Sequence, residues 1–158
     1  MKRNLVGLFL VLALAGGLAS AATLTVPSAD YPTITKALAA ARPHDVIEVG
    51  DGYTGTDEVY PILVQIDNVT IRSVGGPVDI AGTVVVGAKK VFNPATGYYD
   101  PDRVTGVTVR GFVGPLGATG LPAGVVIKEA DSVTIRGNVI GEGGLRLLDA
   151  TNCTVTDN

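Results

Sequence analysis

The 158-residue chain carries 12 Lys and Arg residues against 15 Asp and Glu residues, which gives a formal net charge of −3. This weakly acidic balance, without a basic run, argues against a protein that follows a nucleic-acid phosphate backbone. One cysteine and one histidine, Cys153 and His44, exclude an internal disulfide framework and a Cys/His metal site. The 21 glycines and few aromatic residues favour many turns and small β-branched side chains.

Residues 1–21 are typical of a secretory signal peptide. Lys2 and Arg3 precede an uncharged apolar run that ends in small residues, an Ala-x-Ala-like cleavage site. We expect cleavage after Ala21 or Ala22, which would change the formal charge from −3 to −5 by removing the two basic residues. An uncleaved N-terminal anchor is the alternative. The pattern predicts a secreted or periplasmic protein without a membrane span after cleavage.

Residues 22–43 predict an N-terminal cap made of a strand and a helix. Apolar and threonine residues alternate from Thr23 to Val26, as in a short strand. Apolar residues then recur at i, i+3, i+4 and i+7 between Ile34 and Ala41, and Pro43 ends this pattern. A helix over 33–41 is too short to be stable alone, so we expect it to cover other elements.

Residues 44–158 repeat one short strand. Its copies are "DNVTIRS" at 67–73, "TGVTVRG" at 105–111, "DSVTIRGN" at 131–138 and "TNCTVTDN" at 151–158. Shifting the chain by 20 residues places "GVVIKEADSVTIRGN" over "GLRLLDATNCTVTDN". A period near 20 without a helix indicates a β-solenoid, in which each repeat is one rung. The 38 residues from Val69 to Val107 hold one long rung or two short ones, so we predict four or five rungs.

Alternation within the repeat assigns its faces. Val133 and Ile135 point inward, whereas Thr134 and Arg136 point outward. Stacking then predicts two inner columns, namely Val69, Val107, Val133 and Cys153, and Ile71, Val109, Ile135 and Val155. Cys153 takes a valine position, which indicates a small buried apolar residue. Asn138 and Asn158 are predicted to form an asparagine ladder at a turn.

Two stretches resemble known β-helix proteins. "YPTITKALAAARPHDVIEVGDGYTG" resembles the cap and first rung of right-handed parallel β-helix proteins of the pectin-lyase-like group, although His44 replaces the usual Gly before Asp45 and the "G-T-Y-x-E" run is missing. "GLRLLDATNCTVTDN" resembles a rung of NosD-like and carbohydrate-binding β-helix proteins. The resemblance implies an all-β, right-handed parallel β-helix with a short N-terminal capping helix.

The resemblance is specific for the fold and leaves three functions open. The first is a carbohydrate- or cell-surface-interacting solenoid without a catalytic motif. The second is the N-terminal fragment of a polysaccharide lyase or glycoside hydrolase that acts on acidic polysaccharide. The third is a NosD-like periplasmic accessory protein for metalloenzyme maturation, for which the residues offer no copper-binding cluster. No cofactor is evident, and calcium is implied only for a lyase-like protein.

Three arginines recur at one outward position: Arg72, Arg110 and Arg136. Stacked guanidinium groups can bind the carboxylates of an acidic polysaccharide. The resemblance to pectate and pectin lyases makes Arg136 the candidate catalytic residue. The alternative is a solvated face whose charge repulsion is relieved by Asp67 and Asp131.

The irregular stretch over 91–104 provides the remaining candidate residues. Tyr98 and Tyr99 can stack on sugar rings, and Asp100 with Asp102 can contribute oxygens to a calcium site, as in calcium-dependent lyases. The alternative is a corner loop whose tyrosines cover the edge of the solenoid.

The last rung raises an expectation about the C-terminus. Asn158 aligns with Asn138, so the sequence stops within a rung and lacks the polar cap that solenoids need. We therefore expect the native solenoid to continue beyond residue 158.

Overall fold

The computed structural model describes residues 20–114, 124–140 and 144–158. The elements in chain order are β1 (Thr23–Val26), α1 (Ile34–Ala40), β2 (Val46–Gly50), β3 (Ile62–Val64), β4 (Thr70–Val74), β5 (Val78–Asp79), β6 (Val84–Gly87), β7 (Lys89–Asn93), β8 (Tyr98–Asp102), β9 (Val104–Thr105), β10 (Thr108–Arg110), β11 (Phe112–Val113), β12 (Val125–Asp131), β13 (Thr134–Arg136), β14 (Leu145–Thr151) and β15 (Thr154–Thr156).

Parallel sheets run along the length of the molecule. Sheet A has the order β1-β2-β4-β10-β13-β15, and sheet B has the order β14-β12-β6-β3, with β9 also paired to β12. A third, short sheet pairs β11 with β5. The chain moves from sheet B to sheet A in each turn, and about five turns stack into a β-solenoid. The predicted fold class, an all-β parallel β-helix with one short capping helix, is confirmed.

The strand register matches the predicted repeat. Val125 pairs with Leu145 and Ile135 pairs with Val155, which are the positions related by the 20-residue shift. Ile71 pairs directly with Val109, so the 38-residue interval is one long rung. Its extra length includes an antiparallel hairpin formed by β7 and β8.

The core consists of the inward columns of the two long sheets. In the column of Ile71, Val109 and Ile135 every side chain is buried, whereas Val155 is 43% exposed because β15 has a neighbour on one side only. Cys153 is half-buried for the same reason, so its prediction as a buried residue is only partly met. Most members of these columns are Val or Ile, so each column stacks β-branched side chains of similar size.

The helix covers the first rung, as predicted. Thr33 is the N-cap, and its side chain accepts a hydrogen bond from the Lys36 N–H at 3.1 Å. The helix buries Ile34, Ala37 and Leu38. Glu58 accepts hydrogen bonds from two backbone N–H groups of the first helical turn, so the helix is fixed at both its cap and its apolar face.

The corners of the rungs require unusual backbone conformations. Asn68, Gly106, Ser132 and Asn152, which precede the first inner column, all have positive φ values between 51° and 69°. His44 also has a positive φ, 75°, which explains physically why glycine is favoured at that position in the proteins it resembles.

The predicted asparagine ladder is confirmed at another corner. Asn138 is 4% exposed, and its Nδ2 donates to Oδ1 of Asn158 at 3.0 Å. Its Oδ1 accepts from the Phe112 N–H, and its Nδ2 also donates to the Val109 carbonyl. One amide therefore connects three consecutive rungs.

The predicted signal peptide lies almost wholly outside the described residues. Among the residues that the structure describes, no helix is both long and apolar enough to cross a membrane.

Candidate functional site

The outer face of sheet A carries two parallel columns of polar side chains. In one column, Thr70, Thr108, Thr134 and Thr154 lie in register across four strands. In the other, Arg72, Arg110 and Arg136 lie in register, as predicted, between Glu48 and Thr156. We call the part of this surface formed by the three arginines and the threonines beside them (Thr70, Thr108 and Thr134) the arginine face.

The columns follow from the T-x-R pattern in the repeat. Neighbouring parallel strands lie about 4.8 Å apart, so an identical position in each rung produces a regular row. Thr and Arg two positions apart point to the same side of a strand, whereas the Val or Ile between them enters the core. The burial of Ile71, Val109 and Ile135 fixes this register, because a slip by one residue would expose them.

The three arginines differ in their partners. Arg72 forms an ion pair with Glu48, and Arg136 Nε lies 3.3 Å from Asp157 Oδ2. The Arg110 side chain, exposed between them, makes no hydrogen bond or ion pair with the described residues. In the described part of the chain, the central guanidinium therefore lies between two others and has no acidic partner of its own.

An open groove of about 440 Å³ lies beside this central position. Its lining consists of Ser73, Arg110, Gly111, Arg136 and Gly137. Gly111 has a φ of +81°, and a Cβ atom there would lie 2.1 Å from Ser73 Oγ. The glycines that follow the arginines thus allow the sharp corner and leave space next to the two guanidinium groups.

The expected relief of arginine repulsion by Asp67 and Asp131 stays a prediction, and neither carboxylate forms an ion pair with the three arginines in the described part of the chain. Asp67 Oδ1 accepts a hydrogen bond from the Thr105 N–H at 2.8 Å and so joins two rungs. Asp131 accepts hydrogen bonds from Thr151, Ser132 and Asn152 side chains, and these lower the pKa of its carboxyl. Both carboxylates are used at the corner before sheet A, away from the arginine column.

The stretch over 91–104 is more ordered than the sequence suggested. β7 and β8 form an antiparallel hairpin in which Phe92 faces Tyr99 and Asn93 faces Tyr98. The rings of Phe92 and Tyr99 pack edge to face, with centroids 5.4 Å apart. The interpretation as a corner loop that covers the solenoid edge is wrong, because Tyr98 and Tyr99 are 75% and 65% exposed.

The hairpin separates the two predicted sugar-stacking residues. Adjacent residues in a strand point to opposite faces, so Tyr98 and Tyr99 do not form one platform. Asp100 and Asp102 share a face, and Asp100 Oδ2 accepts from Asn93 Nδ2 at 2.5 Å. In the part of the chain that the structure describes, no group of three or more His, Cys, Asp or Glu side chains could hold a metal ion. The calcium site stays a prediction.

Two features of this region were not identified from the sequence. The sequence does show the threonine column, because a Thr lies two positions before each of the three arginines and Thr154 begins the corresponding "TVT" of the last rung. A role is predicted from the sequence for the arginines alone. Arg103 was also overlooked, although it donates to Asp149 Oδ2 at 2.9 Å and to the Ala130 carbonyl at 3.1 Å. No local motif predicts that bridge, because its partners are 27 and 46 residues away.

Comparisons with family models, curated proteins and solved structures find no significant match. The resemblance to pectin-lyase-like and NosD-like proteins therefore stays a prediction from the quoted motifs.

Proposed function

We propose that this β-solenoid is exported from the cytoplasm and binds acidic polysaccharide on its arginine face without cleaving it. The observation that carries the proposal is the position of Arg110, whose guanidinium has no acidic partner among residues 20–114, 124–140 and 144–158 and lies in register between Arg72 and Arg136. Guanidinium groups in adjacent rungs repel one another, and Glu48 and Asp157 offset this repulsion at the two outer positions. An anion bound at Arg110 would offset the positive charge that remains in the middle of the arginine row.

A carboxylate is the chemical group that suits this position. The planar fork of Arg donates two parallel hydrogen bonds to the two carboxylate oxygens, and the small side chains around it do not block the approach. The Arg136 side chain lines the same groove one rung away, so it can share an anion with Arg110 or bind the next one.

A polymer suits the face better than a small molecule. The threonines and arginines form straight rows that cross several rungs, and the groove beside Arg110 is open to solvent. Threonine hydroxyl groups both donate and accept hydrogen bonds, as sugar hydroxyl groups do. A chain of uronic acids offers both groups, hydroxyls for the threonines and carboxylates for the arginines.

Support for export comes from the sequence. The two basic residues, the apolar run and the small residues before Ala22 have the order of a signal peptide. Export would place the arginine face where extracellular and cell-wall polysaccharides occur.

The test is a binding titration of the exported protein with a uronic-acid oligosaccharide and with a neutral oligosaccharide of the same length. We expect binding of the acidic ligand alone, weakened by salt. Arg110→Ala should weaken binding about tenfold, which corresponds to the loss of one charge-assisted contact of about 1.4 kcal/mol.

Arg146→Ala is the matched control, since Arg146 is an exposed arginine on sheet B and its removal changes the net charge equally. Equal weakening by both substitutions would assign binding to net charge and would contradict the proposal. Unsaturated products formed from the oligosaccharide would show a lyase instead of a binding protein.

A further inference from the structure

The residue that follows the predicted leader, Ala22, contacts a buried carboxylate. The backbone nitrogen of Ala22 donates to Asp45 Oδ1 at 2.7 Å. The other carboxylate oxygen, Oδ2, accepts from the Arg42 N–H at 2.7 Å. Asp45 is only 5% exposed, whereas Ala21 and Ala22 are exposed. The carboxylate thus joins the start of β1 to the turn that follows the capping helix.

This carboxylate is held in its charged form. The hydrogen bonds from Ala22 and Arg42 lower the pKa of the Asp45 carboxyl, and the nearby charges of Arg42 and His44 act in the same direction. In the chain that retains its leader, the donor at Ala22 is a neutral peptide group. A buried carboxylate would be stabilised more by a cationic donor at this position.

The sequence allows two cleavage positions, and the fold distinguishes them. A signal-peptide cleavage site of the Ala-x-Ala type has two positions that favour small residues. Cleavage after Ala21 places Ala19 and Ala21 at these positions, whereas cleavage after Ala22 places Ser20 and Ala22 there. The Ala22 carbonyl also accepts a hydrogen bond from the Val46 N–H at 2.8 Å. Loss of Ala22 would therefore remove two contacts of the first rung, and cleavage after Ala21 preserves both.

We propose that the Ala21–Ala22 bond is the processing site and that the new N-terminal ammonium of Ala22 forms an ion pair with Asp45. Water, through the signal peptidase of the host cell, adds to the Ala21 carbonyl carbon and the C–N bond breaks. Ala21 leaves with the leader as a carboxylate, and the Ala22 nitrogen takes up a proton to become an ammonium group. This inference depends on the proposed export and is independent of polysaccharide binding.

The ion pair makes the stability of the processed protein depend on pH. An α-amino group ordinarily titrates near pH 7.7–8.0, and a carboxylate partner raises that pKa in the folded state. The stabilisation is therefore complete below about pH 7.5 and is lost as the pH rises through the folded-state value. The chain that retains its leader has no ammonium group at Ala22, so it lacks this pH-dependent stabilisation.

The first measurement is the N-terminal sequence or intact mass of the protein after export. We expect a chain that begins at Ala22. A chain that begins at Thr23 or elsewhere overturns the inference but preserves export, whereas an intact chain beginning at Met1 overturns export as well.

The second measurement compares the exported wild type with a form that has one glycine inserted between Ala21 and Ala22. The insertion moves the ammonium away by one residue, about 3.8 Å, and keeps a neutral N–H at Ala22. Intact mass verifies that the inserted glycine is the new N-terminus.

Between about pH 7 and about pH 10, the folded-to-unfolded ratio of the wild type should fall about three- to tenfold more than that of the insertion form. Asp45→Asn should remove the same excess if it folds, and the insertion form provides the test if it does not. Equal pH dependence in the wild type and the insertion form would overturn the ion pair.

Discussion

Substitution of Asn138 by alanine tests the strongest corner contact of the solenoid. Its side chain accepts from the Phe112 N–H at 3.1 Å and donates to the carbonyls of Val109 and Arg136, both at 3.1 Å. Alanine removes these three contacts and also the hydrogen bond from Nδ2 to Asn158 Oδ1. Because Asn138 is buried, water can replace them only in part.

The expected effect follows from the groups left without a partner. A buried donor or acceptor that loses its hydrogen bond destabilises the folded state by about 1–3 kcal/mol. The Phe112 N–H contributes one such loss, and the two carbonyls contribute less because carbonyl oxygens retain a second lone pair. We expect Asn138→Ala to lower the free energy of unfolding by about 2–4 kcal/mol.

Two further substitutions separate the possible causes. Asn158→Ala removes the next amide of the ladder, which is exposed to water, and should lower the free energy of unfolding by about 1 kcal/mol or less. Asn138→Asp keeps an acceptor for the Phe112 N–H but donates nothing to the carbonyls, and it should destabilise at least as much as alanine at neutral pH.

Urea unfolding followed by far-ultraviolet circular dichroism measures these changes through the transition midpoint at an unchanged slope. If Asn138→Ala lowers the free energy of unfolding by less than about 1 kcal/mol, or by no more than Asn158→Ala, the reasoning about buried corner amides is refuted.

Four other substitutions test the core and the cap. Ile127→Ala should lower the free energy of unfolding by about 2–5 kcal/mol, because Ile127 is fully buried. Leu147 is in register with Ile127 but is 46% exposed, so Leu147→Ala should change the free energy of unfolding by less than about 1 kcal/mol. Equal effects of the two substitutions in urea unfolding would contradict the assigned core. The ionised Asp45 carboxylate stabilises the fold above about pH 4, and this stabilisation is lost as the pH falls through its lowered folded-state pKa. In Asp45→Asn, the free energy of unfolding should therefore decrease less steeply with falling pH in the acid range. Glu58→Ala leaves two N–H groups of the first helical turn without their acceptor, so it should lower the free energy of unfolding by about 1–3 kcal/mol. Amide hydrogen exchange near Ile34 should increase. Unchanged exchange there would exclude Glu58 as the residue that anchors the helix.

Repetition made most of the solenoid predictable. The 20-residue shift gave the pairing of Val125 with Leu145 and of Ile135 with Val155, because stacked rungs place identical positions in register. The helix begins at Ile34, one residue after the predicted start, since Thr33 is its N-cap. Alternation also placed Arg72, Arg110 and Arg136 in one outward row.

Features without a repeat were harder to predict. The sequence pattern predicts an irregular loop where β7 and β8 form a hairpin, although the two strands flank a four-residue turn that ends in Gly97, a residue with a positive φ. Pro101 obscured the strand pattern there, because proline cannot donate to a sheet. Pairing of charges was also missed, since Glu48 becomes a neighbour of Arg72 only when the rungs stack.

Arginine footprinting provides a site-resolved test of the proposal that acidic polysaccharide binds at the arginine face. The exported protein is treated with an arginine-selective dicarbonyl reagent, with and without a uronic-acid oligosaccharide, and the modified peptides are quantified by mass spectrometry. We expect the oligosaccharide to protect Arg110 most, to protect Arg136 as well and to leave the modification of Arg146 on sheet B unchanged. Equal protection of all three arginines, or protection of none while the ligand is bound, would contradict the proposal.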